Sequence, residues 1–221
     1  DLDTTSTKWG HHRILGAVER GEVDIRFGTQ MIAKGLDFPN VTLVGVVDAD
    51  TGLYLPDFRA AERTFQLLAQ VAGRAGRGPK GGRVLVQTRQ PGHHAIRHAA
   101  AHDVEGFLAA ELATRTSPAY PPSVGLANVV VSGVSDVAVG NAAAAVVDWC
   151  QALIESQRLP LTVLGPAPAP LARIKDRWRW HLGVKGASEE IGRFVRYAGP
   201  KWREAGRGVR VVIDRDPVSL L

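Results

Sequence analysis

Cysteine, methionine and aromatic residues are all scarce in this chain of 221 residues, which has one cysteine, one methionine and an aromatic content of 6%. The lone Cys150 excludes a fold held together by disulfide bonds, and it cannot complete a zinc site built from cysteines. Long apolar runs are also missing, because the apolar stretch at 142–147 is far shorter than the ~20 residues that a membrane-spanning helix needs. The sequence therefore points away from a disulfide scaffold and from a membrane protein.

Two further features are missing at the start of the sequence. Residues 1–5 contain neither an initiator methionine nor the basic and then apolar pattern of a signal peptide. We therefore expect an excerpt of a longer cytosolic chain. A hydrophobic content of 45% and a charged content of 22% are typical of a folded protein, and the length suits one large domain or two small ones.

The net charge of +5 is unevenly distributed along the chain. It is +2 over residues 1–92, −3 over 93–164 and +6 over 165–221, so the basic excess lies in the last quarter. A clustered basic region favours a polyanionic partner, most often nucleic acid. A solvated basic surface without a partner is the alternative interpretation.

The first half of the sequence predicts an α/β domain with a parallel sheet. Residues 41–47 form a nearly continuous β-branched and apolar run, which predicts a strand buried on both faces. Neighbouring strands are predicted at 23–27 and 83–88, with a helix from 60 to 71 and one alanine-rich helix over 93–112. Strands and helices joined by glycine-rich segments are typical of βαβ units.

A cluster of prolines at 117–122 predicts a domain boundary, because prolines end helices and interrupt central strands. We therefore divide the chain into residues 1–117 and 118–221. The second part predicts the order βαββαβ, a ferredoxin-like α+β domain whose antiparallel sheet has helices on one face. The predicted strands lie at 126–132, 161–164, 179–185 and 209–214, and the predicted helices at 137–157 and 188–202.

The strongest chemical signal is the segment Gln70-x-x-Gly73-Arg74-x-Gly76-Arg77. Its two arginines are three residues apart and therefore lie on neighbouring positions of one face of a turn or helix. Guanidinium groups are permanently charged and bind phosphate oxygens in pairs, and the glycines let the backbone approach a ligand closely. The segment predicts a phosphate-binding site, with a flexible surface turn as the alternative.

A second candidate phosphate site follows the first predicted strand. The residues Gly-Thr-Gln at 28–30 open a short helix, so that free backbone N–H groups lie at the carboxyl end of a strand, where open α/β sheets bind ligands. Thr29 and Lys34 suit backbone phosphates, whereas Asp37 suits a ribose hydroxyl or a neighbouring arginine. The alternative for Asp37 is a cap on the turn that follows it.

Together these segments resemble the superfamily-two helicases. Residues 28–35 are similar to their motif V and residues 70–77 to their motif VI, at the spacing of a second RecA-like lobe. More narrowly, the sequence resembles the C-terminal portion of the PriA family (primosomal protein N′) of replication-restart DNA helicases, over essentially the whole chain. The segments that carry this narrower resemblance are 1–5, 48–50, 54–63, 120–122, 165–170, 177–180 and 213–217.

The resemblance implies a RecA-like second helicase lobe, with its N-terminal part incomplete, followed by a domain that binds DNA and partner proteins. It implies that Arg74 and Arg77 act as catalytic residues of the arginine-finger type. The further residues that it implies are Gln70, Gly73, Gly35 and Asp37 for nucleotide binding and Thr29 and Lys34 for DNA binding.

ATP and Mg²⁺ are the cofactors that the resemblance implies, and both would be bound mainly by a missing first lobe. The sequence contains no Gly-x-x-x-x-Gly-Lys-Ser/Thr loop, so we expect that this chain alone does not hydrolyse ATP. The family also has a cysteine-rich zinc module, and the single cysteine indicates that this module lies outside this chain or has been lost.

Three functional hypotheses are open, of which the first two follow from the resemblance and the third is an unrelated protein. The first is a fork-recognising restart protein that reloads the replisome and, with an intact first lobe, unwinds DNA from 3′ to 5′. The second is a helicase-inactive primosome scaffold, and the third is an RNA-dependent ATPase lobe. The expected partners are single-stranded and forked DNA, the single-stranded DNA-binding protein, other primosome proteins and the loader of the replicative helicase. The expected location is the bacterial cytoplasm, in association with the nucleoid.

The segment 173–181 alternates cations with tryptophans. Its four cations can neutralise phosphates, and Trp178 and Trp180 offer stacking faces for single-stranded bases. On a strand, however, the two indoles share one face, so they are either a stacking platform or part of the core. The candidate DNA-binding cations are Arg173, Lys175, Arg177 and Arg179.

The histidines at 94, 98 and 102 would share one face of a helix, as metal ligands do. Since no cysteine joins them, we predict a polar helix face and no metal site. Cys150 lies in an apolar helical segment, which predicts a buried thiol and not a nucleophile.

Overall fold

The computed structural model describes residues 16–17, 20–25, 27–28, 41–73, 81–202 and 208–221. Its internal contacts divide the chain into two compact units. The first comprises Asp1–Tyr54 and Ala61–Phe107, and the second comprises Leu55–Ala60 and Leu108–Leu221. The boundary predicted after residue 117 stays a prediction. The chain contributes to the second unit twice, and the earlier contribution is a short segment.

The first unit contains a parallel sheet, as the sequence predicts. Strand β1 (Leu43–Val46) pairs in parallel with β2 (Arg83–Val86), so that Leu43 lies opposite Arg83 and Val46 opposite Val86. The helices are α1 (Asp50–Leu53), α2 (Ala60–Ala72), α3 (His94–Ala100) and α4 (Val104–Thr114). Part of α4 and the first residue of α2 belong to the second unit.

The prediction that β1 is buried on both faces is wrong. Val46 packs against the core of the first unit, where the rings of Phe65 and Phe107 lie parallel with their centres 3.9 Å apart. On the other face, Leu43 is 56% exposed, and Leu85 of β2 is 62% exposed. Among the residues that the structure describes, helices cover only one face of this sheet.

Two further predictions for the first unit are wrong. Residues 23–25 and 27 are not in a strand, since no described backbone hydrogen bond joins them to β1 or β2, and Ile25 is exposed. The alanine-rich helix is interrupted at His102, whose φ of 54° is not helical. Asp103 then caps the new helix α4, because its Oδ1 accepts a hydrogen bond from the Gly106 N–H at 2.8 Å.

The second unit contains an antiparallel sheet and two helices. The elements are β3 (Gly125–Gly133), α5 (Asp136–Ser156), β4 (Leu161–Ile174), β5 (Arg177–Gly186), α6 (Ser188–Ala198) and β6 (Val209–Arg215). The strand order in the sheet is β4-β5-β3-β6. The elements follow the predicted order, but β4 and β5 are longer than predicted and the last helix ends earlier, at Ala198.

Strand β4 continues through a proline-rich segment because it lies at the edge of the sheet. Proline lacks a backbone N–H and is tolerated where no neighbouring strand needs that donor. Pro166, Pro168 and Pro170 accordingly fall in or beside two irregularities of the β4–β5 register. The predicted end at residue 164 treats the prolines as strand breakers, which holds for a central strand only.

The core of the second unit lies between one face of the sheet and helices α5 and α6. Val129 and Val131 of β3 are fully buried there. Helix α5 begins after Ser135, whose Oγ accepts from the Ala138 N–H at 3.4 Å. By length and composition, α5 is apolar enough to cross a membrane, but in this fold it is a core helix. The buried residues of α5 are Val139, Ala143, Val146, Val147 and Cys150.

Candidate nucleic-acid interface

The hairpin of β4 and β5 carries the four predicted DNA-binding cations, but it distributes them over different surfaces. Lys175 and Asp176 join the strands, and both have positive φ angles (48° and 59°), as in a two-residue type I′ turn. Arg173 lies opposite Trp178, with its guanidinium carbon 5.5 Å from the indole ring centre. Its Nη2 is also 3.0 Å from Asp176 Oδ1. Arg173 and Lys175 therefore lie at the hairpin tip, where Asp176 offsets part of their charge.

Trp178 and Trp180 lie on the helix side of the sheet and pack against the buried core. The indole N–H of Trp180 donates to Asp136 Oδ1 in the first turn of α5 at 2.8 Å. Gly140 of the same helix approaches the ring so closely that an added Cβ would lie 3.3 Å from it. Both tryptophans are thus partly buried against the core, on the face of the sheet away from Arg177 and Arg179, and neither is fully buried.

The opposite face of the sheet is basic at one end. Arg179 of β5 lies opposite Ser132 of β3, which in turn lies opposite Arg210 of β6, so these residues form a row across three strands. The next row consists of His181 of β5, Val130 of β3 and Val212 of β6, and Val212 is 40% exposed. We call this surface the open basic face. It consists of Arg177, Arg179, His181, Val130, Ser132, Arg210 and Val212.

The described contacts of the arginines on the open basic face are to carbonyl oxygens and not to carboxylates. Arg177 donates from Nη2 to the carbonyl oxygen of Ser132 at 3.1 Å, and Arg179 donates from Nη1 to that of Leu171 at 3.4 Å. A carbonyl oxygen orients a guanidinium without neutralising it. None of Arg177, Arg179 and Arg210 forms a salt bridge with a carboxylate of the described residues, although Asp214 lies further along β6 on the same face.

His181 is the histidine of the open basic face, and it lies beside Val130 of β3. Burial lowers the pKa of His181, and the positive charge of Arg179 lowers it further. The imidazole is therefore neutral at pH 7 and serves as a hydrogen-bonding group and not as a cation.

The structure thus brings two of the four predicted cations together and adds two residues that the sequence analysis missed. Arg177 and Arg179 share the open basic face, whereas Arg173 and Lys175 do not. Arg210 and His181 join them only through strand pairing. Strict alternation in β6, where apolar residues at 209, 211 and 213 point to the core, is the signal that predicts an outward Arg210.

The nucleotide-binding prediction falls mainly outside the described residues. Gln70 lies in the last turn of α2, and Gly73 follows that helix with its N–H donating to the Ala69 carbonyl at 3.0 Å. The proximity of the two predicted phosphate sites stays a prediction. The predicted residues that lie outside the described ranges are Thr29, Lys34, Gly35, Asp37, Arg74 and Arg77.

The helix break separates the three predicted histidines. His98 Nδ1 is 2.8 Å from Asp103 Oδ2, and His102 lies beyond the end of α3. Within the described ranges, no group of three or more histidine, cysteine, aspartate or glutamate residues could hold a metal ion. Cys150 is fully buried, as predicted, and burial raises the pKa of its thiol to about 12.

Comparison with known proteins identifies the family. Residues 116–218 match the family model of the primosomal protein N C-terminal domain, and residues 3–79 match that of the helicase conserved C-terminal domain. The chain is 49% identical over 189 residues to the replication restart protein PriA of Bacillus subtilis. This match covers 86% of the chain and 23% of the Bacillus protein. The chain belongs to the PriA family. This confirms the resemblance seen in the sequence.

Other PriA proteins are similar to this chain over its whole length. Identity is 42% over 225 residues with the Synechocystis protein and 40% over 223 residues with that of Treponema pallidum, each covering 100% of the chain. The matches cover 26% and 33% of these two relatives. The chain therefore spans about a quarter to a third of the length of the PriA proteins that it matches.

Proposed function

We propose that this chain is part of a replication-restart protein that recognises stalled or branched forks, binds their DNA and helps to reload the replisome. The observation that carries the proposal is the open basic face, whose arginines form no salt bridge with any carboxylate in the part of the chain that the structure describes, in a chain of the PriA family. Its ligand is the phosphodiester backbone of single-stranded or forked DNA.

The spacing of the open basic face suits a phosphate backbone. Arg177 and Arg179 are two residues apart on one strand, or ~7 Å, and Arg179 and Arg210 are two strands apart, or ~10 Å. A guanidinium can bind two oxygens of one phosphate, so each arginine can hold one phosphate group. Val130 and Val212 supply apolar contact between these groups. Because the contacts are to the backbone, binding is expected to be largely independent of base sequence.

Together with a first lobe that carries a phosphate-binding loop, we propose that the protein unwinds DNA from 3′ to 5′ with ATP. ATP and Mg²⁺ are held mainly by that lobe, because this chain has no such loop. Arg74 and Arg77 then stabilise negative charge on the transferred phosphoryl group. The other proposed contacts are Gln70, Gly73, Gly35 and Asp37 to the nucleotide and Thr29 and Lys34 to DNA.

We further propose a RecA-like second lobe for residues 1–117 and a ferredoxin-like domain for 118–221. The second assignment is supported by the order βαββαβ, by an antiparallel sheet with β5 and β3 at its centre, and by helices packed on one face. The proposed protein partners are the single-stranded DNA-binding protein, other primosome proteins and the helicase loader, in the bacterial cytoplasm.

A helicase-inactive scaffold is the second candidate function. It is favoured by the position of the open basic face, because all of its residues lie in the second unit and none belongs to the proposed nucleotide site. ATP hydrolysis by a protein that joins this chain to its first lobe distinguishes the two. DNA-stimulated hydrolysis supports the helicase, and its absence with DNA binding intact supports the scaffold.

The DNA-binding proposal is tested by fluorescence anisotropy of labelled single-stranded and forked DNA over a series of salt concentrations. We expect a linear plot of log affinity against log salt, with a slope of about −0.7 per phosphate contact on a single strand. The double variant Arg179→Ala, Arg210→Ala should bind more weakly and reduce the magnitude of the slope by about 1.4.

Arg193→Ala is the matched control, because Arg193 is an exposed arginine of α6 whose Nη1 is 2.9 Å from Glu190 Oε2. It should bind DNA as the unchanged chain does. No binding at low salt, or equal losses in the double variant and the control, would refute the proposed interface. Competition with RNA of the same sequence tests the RNA-dependent alternative, which requires RNA to be preferred.

A further inference from the structure

Beyond the row of His181, the same face of the second sheet continues into a further row of residues. Leu164 of β4 lies opposite Gly183 of β5, and Gly183 lies opposite Asn128 of β3. Asp214 of β6 completes the row on the other side of Asn128. The strand neighbours of these residues pack into the core, so by alternation the row itself faces away from α5 and α6.

Gly183 leaves a space in this row that the fold does not require. Its backbone does not have the positive φ that favours glycine. An added Cβ would lie at ordinary contact distance from its nearest described neighbours, 3.6 Å from Leu126 Cδ1 and 4.0 Å from Leu164 Cβ. Gly183 is partly exposed, so the space is open to solvent. A glycine within a strand often marks a place where a ligand approaches the sheet closely.

Asn128 borders this space with a polar group that lacks a partner. Its side chain is only 4% exposed, and no residue in the described part of the chain forms a hydrogen bond with its amide. By contrast, the buried carboxylates of Asp50 and Asp57 accept hydrogen bonds from Thr88 and from the Leu220 N–H. A buried amide without a protein partner is normally satisfied by water or by a ligand.

We call the space over Gly183, bounded by Leu126, Leu164 and the Asn128 amide, the hollow. Two of its sides are apolar, and the third presents both a hydrogen-bond donor and an acceptor. A nucleobase has the matching character, because its faces are apolar and its edges carry donors and acceptors side by side. A phosphate does not suit the hollow, since no cation lines it and the exposed carboxylate of Asp214 stands in the same row.

His181 lies between the hollow and the arginine row of the open basic face. It precedes Gly183 by two residues on the same face of β5 and is partly exposed. An imidazole offers a flat surface on which a base can stack. Arg179 and Gly183 are four residues apart on the strand, or ~14 Å, which is about four nucleotides at the 3.4 Å spacing of a stacked strand. One strand of nucleic acid can therefore contact both places.

We propose that the hollow is a subsite for one unpaired nucleobase of single-stranded DNA, whose edge pairs with the Asn128 amide and whose ring lies beside His181. This subsite rests on the proposed function, because the arginines of the open basic face hold the phosphates of the same strand. A base within a duplex cannot use the subsite, since its pairing edge is occupied by the other strand. The subsite therefore favours single strands over duplex DNA.

The competing explanation is that an ordered water molecule satisfies Asn128 and that the hollow takes no ligand. Binding would then depend on phosphates alone. The two explanations differ in the affinity that they predict for a strand without bases.

The test compares two labelled strands of equal length and charge by fluorescence anisotropy with the full chain. One strand consists of thymidine nucleotides and the other of abasic nucleotides. The unchanged chain should bind the abasic strand about tenfold more weakly, because base contacts are lost while phosphate contacts are kept. Gly183→Val fills the hollow and should bind the two strands equally. Its slope of log affinity against log salt should match that of the unchanged chain.

Gly45→Val is the matched control. Gly45 of β1 is an exposed glycine in the other sheet, and no described atom lies within 4 Å of the position of an added Cβ. This variant should distinguish the two strands as the unchanged chain does. Equal binding of the two strands by the unchanged chain overturns the proposal. So does a preference for the thymidine strand that persists in Gly183→Val, or one that disappears in both glycine variants.

Urea denaturation shows whether Gly183→Val is folded. If it is not, Asn128→Leu decides by the same criterion, because leucine has a similar size and removes only the amide. Loss of the preference for the thymidine strand in that variant supports the subsite, and a retained preference refutes it.

Failure of the subsite and failure of the DNA-binding proposal give different results. Equal binding of the two strands, together with weaker binding by Arg179→Ala, Arg210→Ala, refutes the subsite alone. Absence of binding to either strand at low salt refutes the DNA-binding proposal and the subsite that rests on it.

Discussion

The two sheets of this protein expose faces of opposite character. The parallel sheet of the first unit exposes leucines, Leu43 and Leu85, on the face that the described helices leave open. The antiparallel sheet of the second unit exposes Arg179 and Arg210 on the corresponding face. Exposed leucine costs free energy in water, whereas exposed arginine does not. A strand pattern of continuous apolar residues and one of alternating residues thus predict different surfaces once a sheet has formed.

The two faces of the second sheet have different roles. The face toward α5 and α6 supplies the core and hence stability, and the face away from them can carry charge for binding. Sequence alternation in β5 and β6 assigns each residue to one task. Substitutions on the two faces are therefore expected to have separate effects.

The largest expected effect comes from the buried side of the second sheet. Phe194→Ala removes a fully buried ring of α6 and should lower the free energy of unfolding by about 3–5 kcal/mol. Leu85→Ala, on the exposed face of the first sheet, should change it by no more than about 0.5 kcal/mol. Urea denaturation followed by circular dichroism measures both. Similar losses in the two variants would show that Leu85 is covered in solution.

A smaller effect is expected from charge reversal on the two exposed faces. Arg179→Glu with Arg210→Glu should raise the Kd for single-stranded DNA about 10- to 100-fold at low salt, because attraction to phosphates becomes repulsion. Arg83→Glu, an exposed arginine of β2, is the control on the other sheet and should have little effect. Both variants are measured by anisotropy titration. If both lose DNA affinity equally, the affinity depends on the net charge of the chain and not on the open basic face.

The smallest expected effect is a difference in pH dependence. Burial and the charge of Arg179 lower the pKa of His181, so the unfolded chain binds a proton more readily. Stability that depends on His181 is therefore lost as the pH falls below about 6.5. In the first unit, hydrogen bonds from the Thr88 hydroxyl and the Arg89 N–H lower the pKa of Asp50. The contribution of Asp50 is lost only as the pH falls below about 3.9.

Urea denaturation at pH 7.5 and pH 5 checks this difference. His181→Gln should reduce the loss of stability between these two values, whereas Asp50→Asn should leave that loss unchanged. His102→Asn serves as a control, because His102 is an exposed histidine with positive φ, a conformation that asparagine tolerates. If His181→Gln and the unchanged chain lose the same stability between pH 7.5 and pH 5, His181 is not the group responsible for that loss.

Much of the second unit could be predicted from the sequence, because its strands and helices have clear periodicity. The errors occurred where a residue's effect depends on its neighbours. Pro166 and Pro168 suggest the end of a strand, but they are tolerated because β4 has a partner on one side only. His102 looks helical by spacing, but its backbone turns there, and Asp103 provides a better start for a new helix.

The amino-acid sequence alone determined the family, the order of elements, the basic excess near the C-terminal end and the two-sided pattern of the arginine–tryptophan strand. These are local or compositional properties, and they are readable along the chain. Only the tertiary structure decided that Arg210 joins Arg179, that Arg173 does not, and that Gly183 lies opposite Asn128. Such contacts depend on strand register and on which distant segments the core brings together, and no spacing along the chain encodes them.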